Sequence, residues 1–213
     1  QFTAWNTQEN GKGTAYTDTT DTFPMANENV TLYAQWAKDE SATKKASYSV
    51  EYYKDGENVV GDTQTVQQDI WVGDNILTVN KGAINTTDKY AGYVFEKTEP
   101  ETIPGTIEDE GVIKVYYAKD ENKDGIPDKY QAFVKFESAD DNKGTVTGTG
   151  AVQVFTFKDN ATKGDVTPAL TNVELQPKDG FVFDYWTKDN GTEPVDPPTT
   201  IKDVPGGPTI SFK

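Results

Sequence analysis

The sequence predicts a mainly β fold with at most short helices, divided into several modules. Three observations predict it. Short runs rich in β-branched and aromatic residues recur along the chain, each bounded by Gly, Asn, Asp or Pro: "SYSVEYY", "GVIKVYY", "QAFVKFE", "VQVFTF" and "PTISFK". Amphipathic helical periodicity is scarce. Polar stretches without strand formers separate the runs.

The clearest strand is "YSVEYY". Tyr48, Val50 and Tyr52 share one face, and Ser49, Glu51 and Tyr53 share the other, the period-2 pattern of a strand with one buried side. Two stretches carry the best helical signal, "DIWVGDNILTV" and "KGDVTPALTNVELQ". Gly73 and Pro168 weaken them, so each holds one short helix at most. "AKDESATKKAS", Ala37 to Ser47, and the stretch from Asp120 to Lys129 read as linkers. The expected units are residues 1–37, 47–118 and 130–213, with a linker at 119–129. The chain opens in mid-strand at "QFTAWNT", which reads as a fragment of something longer.

Composition excludes several function classes. The 213 residues carry 20 basic and 35 acidic side chains, a formal net charge of −15, and every basic residue is Lys. Such a surface repels nucleic acid and anionic membrane, both of which require cationic patches. No apolar run approaches the ~18 residues of a membrane span, so membrane insertion is not expected. With no Cys, disulfides cannot support small cores. The 4 Trp, 11 Tyr and 10 Phe supply buried area in their place. The absence of His and Cys removes triads and thiol nucleophiles built on them, and the absence of Arg removes bidentate phosphate clamps. There is no glycine-rich phosphate loop, and the many carboxylates fall mostly in turns. The chain is expected not to be an enzyme.

An internal repeat links the two ends. "FTAWNTQENGKGTAY" matches "FVFDYWTKDNGTEPV": an aromatic, then Trp5 or Trp186, then Thr, then Asn10-Gly11 or Asn190-Gly191. Each copy leads to a closing strand, "NVTLYAQW" or "GPTISFK". The pattern reads as a strand carrying a core Trp, a tight Asn-Gly turn and a return strand.

These residues also carry resemblances. Phe2 to Tyr16 and Glu28 to Trp36 resemble the Listeria–Bacteroides repeat of bacterial surface proteins, and the end of the chain is similar to it more weakly. That family implies β-grasp-like modules in exported proteins, and its opening strand would lie before Gln1, which implies an unpaired edge within residues 1 to 36. The middle unit, with "YSVEYYKDGENV", "AGYVFEKTEPETIPGTI" and "GVIKVYYAKD", is similar to mucin-binding-protein-type repeats. Its Lys54 to Gly56 turn and its Gly92-Tyr93 strand start match that pattern. Linkers of the form Asp-x-Asn-x-Asp-Gly-Ile-Pro-Asp-x-Tyr resemble those in surface proteins of anaerobic Gram-positive bacteria. Together the resemblances imply an elongated multi-module array of β-grasp-like units on the extracellular cell surface or wall.

The stretch "DENKDGIPDKYQ" is a candidate metal loop. Oxygen ligands fall at positions 1, 3, 5 and 9 (Asp120, Asn122, Asp124 and Asp128), Gly125 sits at the sharp turn, and the Ile126 carbonyl falls at position 7. Alternate residues can turn their oxygens to one centre, which is the spacing of a Ca2+ loop. Pro127 and Gln131, the latter where a bidentate Glu is expected, depart from the EF-hand. The competing reading is a solvated acidic linker. Lys114 and Lys135 lie within strands and raise the question of a Lys–Asn isopeptide link, against which stands the rarity of buried Lys. The Asn-x-Thr sites at Asn29, Asn85, Asn160 and Asn190 match a glycosylation pattern that is common in turns.

The expected function is a stalk, spacer or adhesion segment of a bacterial cell-surface protein, with neighbouring modules of the same protein as partners. The alternative is a mucin- or glycan-binding adhesin that uses Trp71, Tyr90, Tyr93 and Trp186 as exposed aromatics. Burial of those rings discriminates between the two.

Overall fold

The computed structural model describes residues 1–213 apart from 18–20, 24, 26 and 198. The fold is mainly β. Among the described residues, helical residues form only three-residue 3-10 turns, at Val60–Asp62, Lys81–Ala83, Asp128–Tyr130 and Lys158–Asn160.

The first segment forms β1 (Phe2–Asn6), β2 (Ala15–Tyr16) and β3 (Tyr33–Trp36), in the order β2-β1-β3. Both pairings are antiparallel, with Trp5 opposite Tyr16 on one side and Ala34 on the other. The Asn6 side chain holds the β1–β2 loop. Its Oδ1 accepts from the Gln8 and Gly13 amides at 2.9 and 3.0 Å, and its Nδ2 donates to the Gly11 carbonyl at 3.1 Å. Asn6 is almost fully buried, so these bonds replace the water it loses.

The second segment begins with β4 (Thr43–Lys54), β5 (Glu57–Asn58) and β6 (Gln64–Trp71). It continues with β7 (Ile76–Thr78), β8 (Tyr93–Glu99), β9 (Thr106–Glu108) and β10 (Val112–Lys119). β4 and β10, the first and last strands, lie side by side and parallel, Val112 opposite Ser49 through Tyr117 opposite Lys54. Antiparallel β8 flanks β10, while β6 and β5 flank β4. The strand expected at Tyr48–Tyr53 is present with the expected faces: Tyr48, Val50 and Tyr52 are buried with Ile113, Val115 and Tyr117. Their hydroxyls reach loop backbone: Tyr48 accepts from the Asn80 amide, Tyr52 accepts from the Asn85 amide, and Tyr117 donates to the Asn85 carbonyl at 2.8 Å. A buried tyrosine thus contributes apolar area and ties down a loop at once.

The third segment begins with β11 (Gln131–Phe136), β12 (Gly144–Thr147), β13 (Val152–Thr156), β14 (Lys163–Val166) and β15 (Glu174–Pro177). It ends with β16 (Trp186–Thr187), β17 (Pro194–Val195), β18 (Ile201–Pro205) and β19 (Thr209–Phe212). Again the first and last strands, β11 and β19, are parallel, Phe133 opposite Thr209 through Phe136 opposite Phe212. β13 pairs antiparallel with β11. A bridge from Lys188 to Phe212 sets the end of β16 antiparallel beside β19. The core gathers Val134, Phe136, Val166, Trp186, Ile210 and Phe212.

Two local expectations change. "DIWVGDNILTV" and "KGDVTPALTNVELQ" contain no helix; they supply the ends or whole of β6, β7, β14 and β15. Gly73 and Pro168 interrupt any helical ladder, and antiparallel partners elsewhere satisfy the backbone. The polar stretch from Ala37 to Ser47 is a linker only in its first part. From Thr43 onward it is strand, because Thr43 to Ser47 pair with Trp71 to Gln67 through backbone bonds that require no strand-forming side chains.

Candidate functional site

The candidate site is the loop from Asp120 to Gln131, between β10 and β11. Two carboxylates expected from the sequence, Asp120 and Asp128, are each only 6% exposed. Asn122 and Asp124 are exposed, and Ile126 is half-buried. The Asp120 carboxylate accepts the Gly125 amide at 3.0 Å and the Asp124 amide at 3.3 Å. Gly125 takes φ +87°, the left-handed turn that glycine adopts at little cost. Asp128 accepts the Glu121 amide through both oxygens, at 3.3 and 3.2 Å. Asp124 accepts the Ile126 amide at 2.9 Å, the Asn122 side-chain amide at 2.9 Å and the Gln131 side-chain amide at 2.7 Å.

The electrostatics of the two ends differ. Burial pushes the Asp128 carboxyl up. The Glu121 amide opposes that shift, and the carboxylates of Asp120 and Glu121 add to it. Asp124 moves down: burial alone would raise it, but its bonds from Gln131, Ile126 and Asn122 together outweigh that and favour the ionised form. The loop therefore holds two buried, mutually repelling carboxylates beside an exposed one held by three protein donors.

A hard divalent cation fits this chemistry, because the donors are oxygens only and the Lys119 charge does not offset the burial of Asp128 and its repulsion by Asp120 and Glu121. The ligands would be Asp120, Asn122, Asp124, the Ile126 carbonyl and Asp128. Among the described residues, however, no three acidic, His or Cys side chains are gathered closely enough to hold a metal ion. The acidic oxygens are instead turned to the loop's own amides.

The loop is built into both neighbours by Glu96 and Gly206, which the sequence did not single out, and by Gln131. Glu96 on β8 receives the Lys129 ammonium at 2.6 Å and the Tyr130 hydroxyl. Burial raises the Glu96 carboxyl, but the bonds from Lys129 and Tyr130 outweigh it and hold it below its usual range. Gln131 is buried and links Asp124 to Thr156 on β13, its Nε2 donating at 2.7 and 3.2 Å. Gly206 packs against the Lys129 carbonyl so closely that an added Cβ would lie 1.9 Å from it. In the sequence, only Gln131 and the Tyr of the linker pattern gave any signal for this mesh. Glu96 sits in an ordinary strand and gave none.

The other sequence candidates are placed as follows. Trp186 lies in the third core. Trp71 is half-buried, its indole N–H donates to the Asp39 carbonyl at 2.9 Å, and the Lys38 ammonium stands 4.6 Å over its ring. Tyr90 and Tyr93 are partly buried and meet edge to face at 74°. Lys135 is exposed and paired with Glu137 at 2.6 Å, and half-buried Lys114 lies over the Tyr53 ring. No described helix is long and apolar enough to cross a membrane.

Comparison with known proteins adds nothing further: no family model matches the chain, and neither the curated proteins nor the solved structures yielded a match.

Proposed function

We propose that this chain is a non-enzymatic stalk or spacer segment of a bacterial cell-surface protein, built of β-grasp-like modules in series, which holds a distal part of the protein away from the wall. The observation that carries the reading is the loop at 120–131. It sits between two units that each have a core and a parallel first–last strand pair, and it is tied to both by Glu96, Gln131 and Gly206. A joint made this way limits the angle between its neighbours, which is what a spacer requires. The acidic surface and the lack of His, Cys and Arg are in keeping with a solvated, non-catalytic role. In this reading Ca2+ at Asp120, Asn122, Asp124, Ile126 and Asp128 removes the repulsion between the buried carboxylates and stiffens the joint.

Small-angle scattering and calorimetry test the proposal. A compact chain of this length has a radius of gyration of about 17 Å, and a spacer should be well above it. Ca2+ should bind in roughly the 10⁻⁴–10⁻³ M range of extracellular modules. It should narrow the distribution of shapes, and Asp124→Ala should abolish both effects. A compact particle overturns the spacer. Absence of binding heat up to several millimolar, with the particle still extended, overturns only the metal. The glycan-binding alternative needs a coplanar exposed ring pair. Trp186 in the core and the edge-on Tyr90 and Tyr93 do not offer one, so mucin glycopeptides should leave the fluorescence of the chain unchanged.

A further inference from the structure

The strand that leads into the first Asn-Gly hairpin is β1, and β3 lies antiparallel along its length, Asn6 opposite Tyr33 through Phe2 opposite Trp36. The third segment leaves the approach to its own hairpin uncovered. β16 is held on one side by β17, Trp186 opposite Val195, and on the other by Lys213, whose backbone exchanges bonds of 2.7 and 3.0 Å with Thr187. In an antiparallel ladder the next such pair falls two residues back, at Tyr185. Among the described residues, the backbone groups of residues 182–185 have no protein partner, and none of the four takes a left-handed turn out of an extended course. The same four residues line a cleft of about 370 Å³, together with β12, β15 and Lys213. Phe183 and Tyr185 are 43% and 47% accessible there, and the Phe183 ring lies 5.1 Å from that of Trp186.

We infer that residues 182–185 receive an extended, basic segment of another protein, which adds to the sheet antiparallel to them and in line with β19. The backbone of Phe183 and Tyr185 supplies the ladder hydrogen bonds, and the exposed rings supply the apolar contact. β3 shows the kind of strand that closes such a stretch: a short run of Tyr33, Ala34, Gln35 and Trp36. The charge of the occupant follows from the cleft. Glu137 and Asp140 already face Lys213 and Lys143, whereas Asp184 faces no cation among the described residues. With a net charge of −15, the chain repels a second copy of itself and draws in a cationic segment. The inference goes beyond the spacer reading and depends neither on it nor on a cation at 120–131.

The test uses the full chain and a C-terminally amidated peptide, LYAQWAK, which is β3 with its neighbours and is cationic, followed by amide NMR. Saturable shifts and slowed hydrogen exchange are expected at Phe183 and Tyr185, at peptide concentrations up to about 1 mM, as suits a short strand bound by one edge. A spin label on the N-terminal end of the peptide should broaden Thr187 more than Phe181, which reports the antiparallel direction. Only one edge of the peptide faces the chain. Methylating one set of alternate peptide amides should therefore weaken binding about tenfold or more, and methylating the other set should not. Replacing the peptide lysine by glutamate, or Asp184→Lys in the chain, should weaken binding at low salt. No perturbation at residues 182–185 up to that concentration overturns the inference. So does the reverse broadening pattern, equal binding of the two methylated peptides, or sedimentation showing that the stretch is instead covered by a second copy of the chain without peptide.

Discussion

The first and third segments carry the same short motif and bury it differently. Trp5 and Trp186 each open a hairpin with an Asn-Gly turn, yet Trp5 is half in solvent and Trp186 is in a core. The difference lies first in the hairpin: the pairing places Trp186, opposite Val195, where the first segment has buried Asn6 opposite Ala15, and Trp5 falls one residue earlier, on the other face, at the place of the equally exposed Tyr185. Phe136 of β11, a strand about fifty residues away from Trp186 in sequence, then completes the packing of Trp186. An aromatic in such a motif becomes a core anchor only when its register turns it to the core face.

The largest effect should come from deleting the two rings. Trp186→Ala should cost roughly 3–5 kcal/mol, whereas Trp5→Ala should cost under about 1 kcal/mol, in urea unfolding followed by circular dichroism. Equal costs would mean that the two environments are alike. Next comes Phe136→Ala, which removes the ring that packs on Trp186. It should cost about 3 kcal/mol and move Trp186 emission to longer wavelength, read by fluorescence with the other Trp residues replaced. Asn6→Ala acts on the first segment alone. Removing a buried side chain that serves four loop groups should cost about 1–3 kcal/mol of local stability, visible as faster exchange of the Gln8 and Gly13 amides.

The smallest effect concerns the clip on the parallel pair. Glu137, just after β11, accepts Lys135 at 2.6 Å and reaches Lys213, just after β19, at 3.5 Å. Its carboxyl is lowered mainly by the Lys135 bond, with Lys213 adding to it. A lowered acid stabilises the fold above its unfolded pKa and loses that contribution as pH falls through the folded value. Glu137→Gln should therefore cost roughly 0.2–1 kcal/mol at pH 7 and nothing once pH is below the folded value, measured as unfolding midpoints across pH. The first segment has no counterpart of this clip among its described residues.

Much of the strand layout was legible from local chemistry. Alternation placed Tyr48, Val50 and Tyr52 inward, and "QAFVKFE" and "PTISFK" announced β11 and β19. Polar strands were not legible. Thr43 to Ser47 and the pieces around Gly73 and Pro168 are strands because a partner elsewhere satisfies their backbone, and side-chain pattern carries no trace of that. At the loop, the spacing of Asp120, Asn122, Asp124 and Asp128 identified the acidic ladder and the Gly125 turn. It could not show that Gln131 turns inward to Asp124, or that Glu96 from another strand takes Lys129 and Tyr130.

The parallel pairing of first and last strands has a mechanical consequence. Where β4 enters its sheet and where β10 leaves it are at opposite ends of the pair, and the same holds for β11 and β19. Tension applied through the chain ends of either unit pulls the two strands past each other, so every hydrogen bond between them is loaded together. In the first segment the ends meet at one edge of an antiparallel pair, where Gln1 and Ala37 exchange hydrogen bonds. The same tension would open those bonds one after another, like a zip. Under traction the second and third units resist as clamps, and the hairpin pairs of the first yield before them.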